Sequence, residues 1–502
     1  MTDLALAYDL GTGGCKASLW DADARPVAEA VVAYGTRHPG PGRSEQRPED
    51  WWDAVVASTR ALLAERPDAC DRIAGIALSG HSLGAVQIDA HDDLVAEWTP
   101  IWSDTRGRVD DAFRRLPEPE WYRRTGNGFG AALYPIFKAA AFRAESPDAW
   151  ARTRRLLGSK DWINLRLTGR VATDHSMASG SGAYRLDAGR YDEEILDAVG
   201  LPAALLPEPR ESSDPLGPLT AAAAAALGLR AGTPVFVGAV DNAAMALGSL
   251  GTAEGRIYAA LGSSSWITVT SAEPVIDEHA RPYVFRHAIP GLHVSALSTF
   301  SSGTSLDWLR TLIAPDLDTA AFIALAEESS PGAGGATFVP TLAGGTPLEG
   351  GSAARGGLTG LQLGTSRADI VRACLEGIAF SLDRSLRFMR DLSGSTDELL
   401  VSGGGSRSEL WNRIYADVLR APLVRTAVDQ QAAALGAAAI AFVGLGIWDA
   451  HARADDAHRD LTRVAPSAAA SSDADPYAHA RERFTRAVAA LSPDPNLSED
   501  LT

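Results

Sequence analysis

A pattern that occurs twice, once at the start of the chain and once near its middle, most constrains the fold. Residues 4–10 and 15–20 have the composition of two strands, and the turn Gly11-Thr-Gly-Gly14 joins them. The same order of strand, small-residue turn and strand returns at residues 254–270, where Gly262-Ser-Ser-Ser265 is the turn. This repetition predicts a duplicated domain in which one hairpin opens each half.

Each of the two turns has the composition of a phosphate-binding loop. Glycine and small hydroxyl residues leave backbone N–H groups unshielded, as a phosphate requires. Asp9, shortly before the first turn, is a hard oxygen ligand that can hold Mg²⁺ through water. Ordinary hairpins also contain such turns, and the chain has no P-loop of the form G-x-x-x-x-G-K-[ST]. The pair of turns favours a nucleotide phosphate held between the two halves.

A further boundary between a strand and a helix carries a carboxylate. The apolar, mostly β-branched run from Val235 to Val240 stops at Asp241, and a small-residue helical run follows and ends at Gly248. In an open α/β sheet the carboxyl end of a strand borders the ligand crevice, and free N–H groups at a helix start hold a carboxylate as an anion. Asp241 is therefore either a general base or only the N-cap of the helix.

A competing motif follows the strand predicted at residues 73–78. The segment Ser79-Gly-His-Ser-Leu-Gly84 contains the G-x-S-x-G of a serine-hydrolase nucleophile elbow. That elbow needs a helix directly after the serine, whereas residues 85–95 have the pattern of strand, turn and strand. The context argues against a hydrolase. His81 and Ser82 are interpreted instead as polar groups at a strand end that can hydrogen-bond a hydroxylated ligand.

Residues 98–106 have the composition of a surface for a sugar ring or a polyol. Trp102, Asp104 and Arg106 alternate along the chain, so they would share one face of an extended segment. An aromatic face with adjacent hydrogen-bonding groups suits a sugar, and a surface ion pair beside a core tryptophan would give the same pattern. Residues 205–219, which are rich in proline and lack periodicity, are predicted to form a connection across the surface.

Length and charge restrict the partners of the chain. Its 502 residues exceed the usual size of a single core, so two domains are expected. The net charge of -17 disfavours nucleic acid and anionic membranes as partners. The sequence has no signal-peptide pattern and no apolar run near the ~18 residues of a membrane span. Its scattered cysteines fit a reducing compartment, so a cytoplasmic protein is expected.

Lysine is rare in this sequence. Lys16, Lys138 and Lys160 are the lysines among 46 lysine and arginine residues. Arginine presents a planar fork of donors, whereas lysine is a compact point charge. A close phosphate or a tight pocket can therefore require lysine at these positions, and chance is the alternative explanation.

In their order along the chain, these segments resemble the FGGY carbohydrate kinases, with xylulokinases as the nearest members. The resemblance covers nearly the whole chain, and it depends on the number and order of the motifs. The motifs are Tyr8-Asp-Leu-Gly-Thr12 with Lys16, Trp51-Trp52, Trp102-Ser-Asp-Thr-Arg106, Lys160-Asp161 with Leu167-Thr-Gly169, Gly238-Ala-Val-Asp-Asn242, Gly262-Ser-Ser264, Phe338 to Pro347, Gly357-Leu-Thr-Gly-Leu361 through Glu376-Gly377, Gly403-Gly-Gly-Ser-Arg-Ser408 with Trp411-Asn412, and Ala434-Leu-Gly-Ala-Ala438.

The resemblance implies an α/β fold of two actin/Hsp70/hexokinase-like (ribonuclease H-like) domains around a central cleft. It predicts an N-terminal domain at residues 1–248, with the sugar site and the catalytic aspartate. A nucleotide-binding C-terminal domain at 249–465 and a closing helix with a flexible tail at 466–502 would follow. Closure of the domains over the cleft and a homodimer are also implied.

The same resemblance implies the chemistry and assigns residues to it. Members of the family phosphorylate a hydroxyl of a sugar or polyol with ATP and Mg²⁺. By this comparison Asp241 is the catalytic residue and accepts the proton of a primary hydroxyl. The other implied contacts are His81, Ser82, Trp102, Asp104, Asp241 and Asn242 with the substrate, Gly11, Thr12, Gly13, Lys16, Gly262, Ser263, Ser264, Gly404, Gly405 and Asn412 with ATP, and Asp9 with the metal.

Departures from the family pattern concern the identity of the sugar. Ser82-Leu83 stands where xylulokinases commonly carry Met-His, and Gly344-Gly-Thr-Pro347 lacks both charges of the usual Gly-Glu-Arg-Thr-Pro. The usual tryptophan after Lys138 is also missing. A ketopentose such as xylulose is expected, and a kinase of a tetritol or pentitol is the alternative.

Two other classes of protein within the superfamily remain as hypotheses. A nucleotide-driven chaperone or filament protein would not need the polar groups of His81, Ser82 and the segment 102–106, which favour a small ligand. A sugar sensor without catalytic activity would not need to keep Asp9, Asp241 and both Gly-rich turns.

Overall fold

Two mixed β-sheets form the framework of the computed structural model, which describes residues 3–128, 130–249, 251–394, 397–426, 428–459, 461–470 and 475–492. The N-terminal sheet consists of β1 (Leu4–Leu10), β2 (Gly14–Asp21), β3 (Pro26–Ala33), β4 (Ile73–Gly80), β5 (Pro215–Pro218), β6 (Pro234–Phe236) and β7 (Ala239–Val240). The C-terminal sheet consists of β8 (Ile257–Leu261), β9 (Ser265–Ser271), β10 (Tyr283–Arg286), β11 (His293–Thr299), β12 (Leu399–Ser402), β13 (Leu423–Arg425) and β14 (Thr462–Val464).

The two sheets have the same topology. The N-terminal order is β5-β6-β4-β1-β2-β3, and the corresponding C-terminal order is β14-β13-β12-β8-β9-β11, with β10 added beyond β11. Each sheet begins with an antiparallel hairpin, continues through two parallel pairings and ends in an antiparallel edge strand. The duplication predicted from the two hairpins is confirmed.

α-Helices lie between the strands in the sequence and pack against both sheets. The described helices are α1 (Pro48–Glu65), α2 (Asp110–Phe113), α3 (Glu118–Thr125), α4 (Pro135–Glu145), α5 (Pro147–Arg152), α6 (Ser159–Thr168), α7 (His175–Ser179), α8 (Glu193–Val199), α9 (Ala221–Leu227), α10 (Asp241–Leu247), α11 (Gly303–Ile313), α12 (Thr319–Ala324), α13 (Arg367–Ser393), α14 (Glu409–Leu419), α15 (Ala432–Gly444) and α16 (Ala478–Leu491). In the described part of the chain, no helix is both long and apolar enough to cross a membrane.

Helix α15 joins the two halves of the chain. It follows strand β13 of the C-terminal sheet, yet it packs against β1 and β4 of the N-terminal sheet and against α10. Its sequence is apolar on every side, as expected of a helix that is buried all round. A side chain at Gly436 would place its Cβ 2.0 Å from the carbonyl oxygen of Ala244 in α10. Glycine at position 436 therefore permits α15 to pack closely against α10.

Two local predictions are wrong, and one predicted strand is divided in two. Residues 98–106 are not extended throughout, because the short strand Thr99–Pro100 ends in a turn at Trp102. The segment 205–219 is not only a surface connection, since β5 is an edge strand of the main sheet. Proline is tolerated on an edge strand because it needs no ladder partner there. The apolar run before Asp241 forms two short strands, with Gly238 between them at a φ of 81°.

Further elements lie where the sequence predicted them. These include the strand at 73–78 and the closing helix α16. The predicted flexible tail beyond residue 492 lies outside the described residues. The minor two-residue and three-residue strands are Glu45–Gln46 with Thr99–Pro100, Val86–Ile88 with Arg155–Leu157, Thr173–Asp174 with Pro209–Arg210, Tyr184–Arg185 with Arg190–Tyr191, and Thr337–Val339 with Gly357–Thr359.

Candidate active site

The first hairpin loop, residues 11–13, has all of its carbonyl oxygens held by the protein. The Tyr34 hydroxyl donates to the Gly11 carbonyl oxygen at 2.5 Å, and the Tyr34 backbone N–H donates to that of Gly13 at 3.3 Å. The Gln46 side-chain amide donates to the Thr12 carbonyl oxygen at 2.7 Å. Among the described residues, the N–H groups of Thr12 and Gly13 donate to no protein acceptor. They are available for an anion.

The second hairpin loop, residues 262–264, is held at the start of α11. The Ser302 and Thr304 N–H groups donate to the Ser263 carbonyl oxygen at 2.9 and 3.0 Å, and the Gly303 N–H donates to that of Gly262 at 3.0 Å. The Thr304 hydroxyl adds a bond of 3.1 Å to Ser263. In the described part of the chain, the Ser263 and Ser264 N–H groups have no protein acceptor. This loop therefore offers the same free donors as the first.

A cavity of about 190 Å³ lies between the two sheets. Asp9 at the end of β1 and Met245 of α10 line it from the N-terminal half. Gly262, Gly403 and Asp429 line it from the C-terminal half. Asp9, predicted to hold the metal, and Gly262, predicted to contact phosphate, thus border one space.

The Gly-rich turn after β12 has the open backbone expected of a site for a base or ribose. Gly403 has a φ of 91°, and its N–H donates to Asp429 Oδ1 at 2.8 Å. A Cβ at Gly404 would meet no atom within 4 Å, so space is open beside this residue, while Gly405 packs near Leu261. Asn412 donates from Nδ2 to the Ser406 carbonyl oxygen at 2.7 Å.

One atom of this turn lacks a partner. Asn412 is buried, and its Oδ1 has no hydrogen-bond partner among the described residues. An unpaired buried acceptor costs free energy unless a ligand or water supplies a donor. A nucleotide supplies donors of this kind, so the unpaired Asn412 oxygen fits that ligand.

Asp9 is the one residue that the sequence predicts to contact the metal. The Ser79 hydroxyl donates to Asp9 Oδ1 at 3.0 Å, and burial raises the pKa of the Asp9 carboxyl, while Lys16 opposes this rise. The described residues contain no cluster of three or more His, Cys, Asp or Glu side chains that would bind a metal unaided. A single carboxylate fits Mg²⁺, because this ion keeps several waters and takes other ligands from phosphates.

Asp241 lies at the first position of α10. Its Oδ1 accepts the Asn242 N–H at 2.8 Å, and the backbone of Ser82 lies near enough to favour the ionised carboxylate. Desolvation raises the pKa of Asp241 to about 7, and the negative charge of Asp9 adds to the rise. Val240 occupies the N-cap position and no side chain caps this helix. The interpretation of Asp241 as only an N-cap is therefore wrong.

A buried ion cluster holds the backbone immediately before Asp241. Lys160 Nζ lies 2.6 Å from Asp161 and 2.9 Å from Asp174, and all three side chains are excluded from solvent. Asp174 accepts the Ser176 hydroxyl, whose oxygen in turn accepts the Val240 N–H at 2.9 Å. The cluster thus continues by hydrogen bonds to the residue before the carboxylate. Lys160 has a positioning role that arginine would not fit without rearrangement.

His81 and Ser82 follow β4 and lie next to Asp241. The His81 ring is buried edge-on against Trp51 at a centroid distance of 5.1 Å, and burial lowers its pKa to about 4. Neither ring nitrogen makes a hydrogen bond of good geometry with the described residues. Leu83 follows at a φ of 59° and is buried. An apolar side chain thus occupies the place where a polar one is usual in the family that the sequence resembles.

Lys138 connects two loops that carry predicted substrate residues. Its Nζ donates to the carbonyl oxygens of Leu83 at 2.9 Å and Ile101 at 2.6 Å. Burial lowers the pKa of Lys138 to about 7. The lysine therefore ties the loop after β4 to the loop that contains Trp102.

The predicted common face of Trp102, Asp104 and Arg106 does not exist. Trp102 is 44% exposed and donates from Nε1 to the Thr12 hydroxyl at 2.8 Å, whereas Asp104 is fully buried. Arg106 donates three hydrogen bonds to the Asp104 carboxylate and the Ser44 N–H donates a fourth. A carboxylate has about four acceptor positions, so a sugar hydroxyl would have to displace one of these donors.

Lys16 reaches across to the C-terminal half. Its Nζ donates to the Gln430 carbonyl oxygen at 2.8 Å, and Gln430 lines the cavity that also contains Asp9. An ammonium has three donors, so Lys16 can bind a phosphate and keep this contact.

Tyr34, Gln46 and Asp429 were missed by the sequence motifs. No local pattern marks them, because each acts through a partner distant in the sequence.

Known protein families and known proteins resemble this chain over most of its length. The pattern of the FGGY family of carbohydrate kinases, N-terminal domain, matches residues 4–248, and that of the C-terminal domain matches residues 257–445. The chain is similar to a xylulose kinase from Staphylococcus xylosus, with 28% identity over 441 residues, 88% of this chain and 90% of the relative. It is also similar to a gluconokinase from Bacillus subtilis (strain 168), with 26% identity over 440 residues and 84% of each chain.

A solved structure extends the similarity to three dimensions. The crystal structure of a xyloylose kinase from Brucella ovis matches with a TM-score of 0.90 and 29% identity. The match covers 97% of this chain and 99% of the other. The two-domain α/β fold is thus the fold of a sugar kinase.

Proposed function

The chain belongs to the FGGY family of carbohydrate kinases, and we propose that this ATP-dependent sugar kinase phosphorylates a primary hydroxyl of a ketopentose such as xylulose. The observation that carries the proposal is the placement of Asp241. Its carboxylate lies at the start of α10, accepts the Asn242 N–H and lies close enough to Asp9 for the charge of Asp9 to raise its pKa. Similarity to a xylulose kinase and to a xyloylose kinase supports the sugar class.

In this proposal Asp241 is the general base. A base works best when its pKa lies near the working pH, and desolvation moves the pKa of Asp241 in that direction. It takes the proton of the attacking hydroxyl while the terminal phosphoryl group of ATP transfers in line. His81, Ser82, Trp102 and Asn242 remain the proposed substrate contacts, and Asp104 would become one by exchanging one of its present donors for a sugar hydroxyl.

The two hairpin loops hold the phosphates of ATP. Their free N–H groups, at Thr12 and Gly13 and at Ser263 and Ser264, donate to phosphate oxygens, and Lys16 adds a positive charge. Asp9 would hold Mg²⁺, which supplies further neutralisation of phosphate charge when bound. Gly404, Gly405 and Asn412 receive the adenosine part.

The sheets support the proposed division into an N-terminal domain at 1–248 and a C-terminal domain at 249–465, followed by a closing segment at 466–502. The last strand of the N-terminal sheet ends at Val240 and the first of the C-terminal sheet begins at Ile257. Motion of these domains about the cleft would exclude water from the transferred phosphoryl group.

A specific observation favours a second substrate, a tetritol or pentitol. Leu83 is an apolar, buried residue at the position where xylulokinases commonly carry a histidine. Leucine cannot donate a hydrogen bond to a keto oxygen. A polyol has no keto group and would not need that donor.

The test of the proposed function combines a substrate panel with one substitution. ADP release should be measured with ATP and Mg²⁺ against ketopentoses, pentitols, tetritols, glycerol and gluconate. With the best substrate, Asp241→Asn should lower kcat by about 10²- to 10⁴-fold, the usual contribution of a general base, while ATP still binds.

The matched control is Asp369→Asn. Asp369 also lies in the first turn of a helix, but its carboxylate bonds Ser366 and Ser329. This control should keep wild-type kcat. An Asp241→Asn enzyme as fast as wild type would refute the general base, and a panel hit only on polyols would replace the ketopentose.

A further inference from the structure

Gln46 belongs to none of the residues assigned to the site, yet every polar atom of its side chain has a partner. It lies in the short strand Glu45–Gln46 before α1 and is fully buried. Nε2 donates to the Thr12 carbonyl oxygen at 2.7 Å and to the Thr36 hydroxyl at 2.8 Å. Oε1 accepts the Trp51 Nε1–H at 2.9 Å. The side chain thus joins the first hairpin loop to the start of α1.

Trp51 fixes the direction of this amide. The two ends of a glutamine amide have the same shape, so only their partners distinguish them. The indole Nε1–H of Trp51 can only donate, so the atom that faces it must be the amide oxygen. The NH₂ group must then face the Thr12 carbonyl oxygen. Gln46 can therefore only hold the loop as a donor.

Holding one carbonyl sets the direction of one N–H group. In a trans peptide the carbonyl oxygen and the N–H of the next residue point to opposite sides. Because Gln46 holds the Thr12 carbonyl oxygen, the Gly13 N–H of the same peptide points away from Gln46. The Tyr34 hydroxyl acts in the same way on the Gly11 carbonyl oxygen and directs the Thr12 N–H. Thr12 and Gly13 are themselves exposed, so both N–H groups are accessible.

We propose that Gln46 is a positioning residue of the phosphate-binding loop, which aims the Gly13 N–H at a phosphate group of ATP by holding the Thr12 carbonyl oxygen. The inference rests on the proposed function, in which this loop binds ATP phosphates. Gln46 does not touch ATP. It keeps the peptide in the orientation that binds an anion, so that the ligand need not spend binding free energy to turn it.

The test compares nucleotides with and without phosphates. Gln46→Met keeps the length of the side chain and removes the donor. It should weaken binding of ADP and of a non-hydrolysable ATP analogue about tenfold, the effect of losing roughly one hydrogen bond. The dissociation constant of adenosine and the KM for the sugar should stay at wild-type values. Isothermal titration calorimetry measures the nucleotides.

Thr36→Val is the matched control, because it removes the other acceptor of the same NH₂ group and leaves the bond to Thr12. It should bind ADP within about twofold of wild type, since no bond to the loop is lost. Equal weakening of adenosine and ADP in Gln46→Met would show a merely structural role and overturn the proposal. Unchanged ADP binding in a folded Gln46→Met protein would also overturn it.

Two further outcomes are separable. If Gln46→Met does not fold, Gln46→Glu decides, because it keeps the acceptor for Trp51 and removes the donor to Thr12. Adenosine bound as in wild type with ADP weakened supports the proposal, and any other pattern overturns it. If the wild-type protein phosphorylates no sugar and binds no ATP, the proposed function itself fails. If the wild-type protein is a kinase and Gln46→Met binds ADP as tightly as wild type, only the role of Gln46 fails.

Discussion

The two hairpin loops occupy equivalent places in two sheets of the same topology, but the protein supports them by different means. Side chains and one backbone N–H hold the carbonyl oxygens of the first loop, through Tyr34 and Gln46. Backbone N–H groups at the start of α11 hold those of the second loop. Side chains and backbone N–H groups can thus each hold a loop so that its own N–H groups stay free. Their sensitivity to substitution should differ accordingly.

Backbone support has one weak point, which is the close approach of the helix start to the loop. A Cβ on Gly303 would lie 2.7 Å from the Gly262 carbonyl oxygen. Real Cβ atoms do not come so near a backbone oxygen, and no flexible side chain is present there to move away. The second loop should thus depend on one glycine, whereas the first depends on two polar side chains.

Among substitutions that test the support of the two loops, the largest expected effect on ADP affinity is that of Gly303→Ala. The added methyl group must displace the second loop, at the ~1–3 kcal/mol typical of overpacking, so affinity for ADP should fall by about 5- to 150-fold. Calorimetry on the purified variant measures this. Gly364→Ala is the control, since its Cβ would meet no atom within 4 Å. Wild-type affinity in Gly303→Ala would mean that the second loop does not need its contact with α11.

A smaller effect is expected for Tyr34→Phe. The ring remains, but the hydroxyl that holds the Gly11 carbonyl oxygen at 2.5 Å is lost. One net hydrogen bond contributes ~0.5–1.5 kcal/mol, so ADP binding should weaken by about 2- to 13-fold. The KM for the sugar serves as the internal reference and should not change. An equal rise in both constants would point to a loss of structure rather than to the loop.

The smallest effect is expected for Thr304→Val. The substitution removes the hydroxyl bond to the Ser263 carbonyl oxygen, while the backbone N–H groups of Ser302 and Thr304 remain on the same atom. Affinity for ADP should stay within about twofold of wild type, because the acceptor is still satisfied. If Thr304→Val were as harmful as Tyr34→Phe, the distinction between side-chain and backbone support would not hold.

Much of the fold was predictable because its signals are local. The strands around Gly11 and Gly262 and the strand at 73–78 follow from apolar patterns and turn residues next to each other in the chain. Residues 98–106 were predicted wrongly, because Asp104 bonds Ser44 and Arg106 and forms a turn instead of an extended segment. No periodicity within nine residues records a partner that lies sixty positions away.

In the candidate site, too, residues with local signals were predicted and residues with distant partners were missed. The glycines of the loops and Asp241 were singled out from local sequence, and the structure places Asp9, Gly262 and Gly403 around one cavity. Gln46 was missed, since it is a polar residue before a helix with no motif of its own. Its role depends on Trp51 and Thr12, which come together with it only in the folded chain.

Local patterns along the chain were enough to predict the duplicated hairpins, the family and the positions of Asp9 and Asp241, because turn chemistry and strand periodicity act between neighbouring residues. Which loop carbonyl oxygens accept hydrogen bonds, and therefore which N–H groups are free, depends on contacts that form only in the folded chain. It also decided the raised pKa of Asp241, which comes from desolvation and from the charge of Asp9. Hydrogen bonding and desolvation depend on distances through space, and these are set when the two sheets pack together.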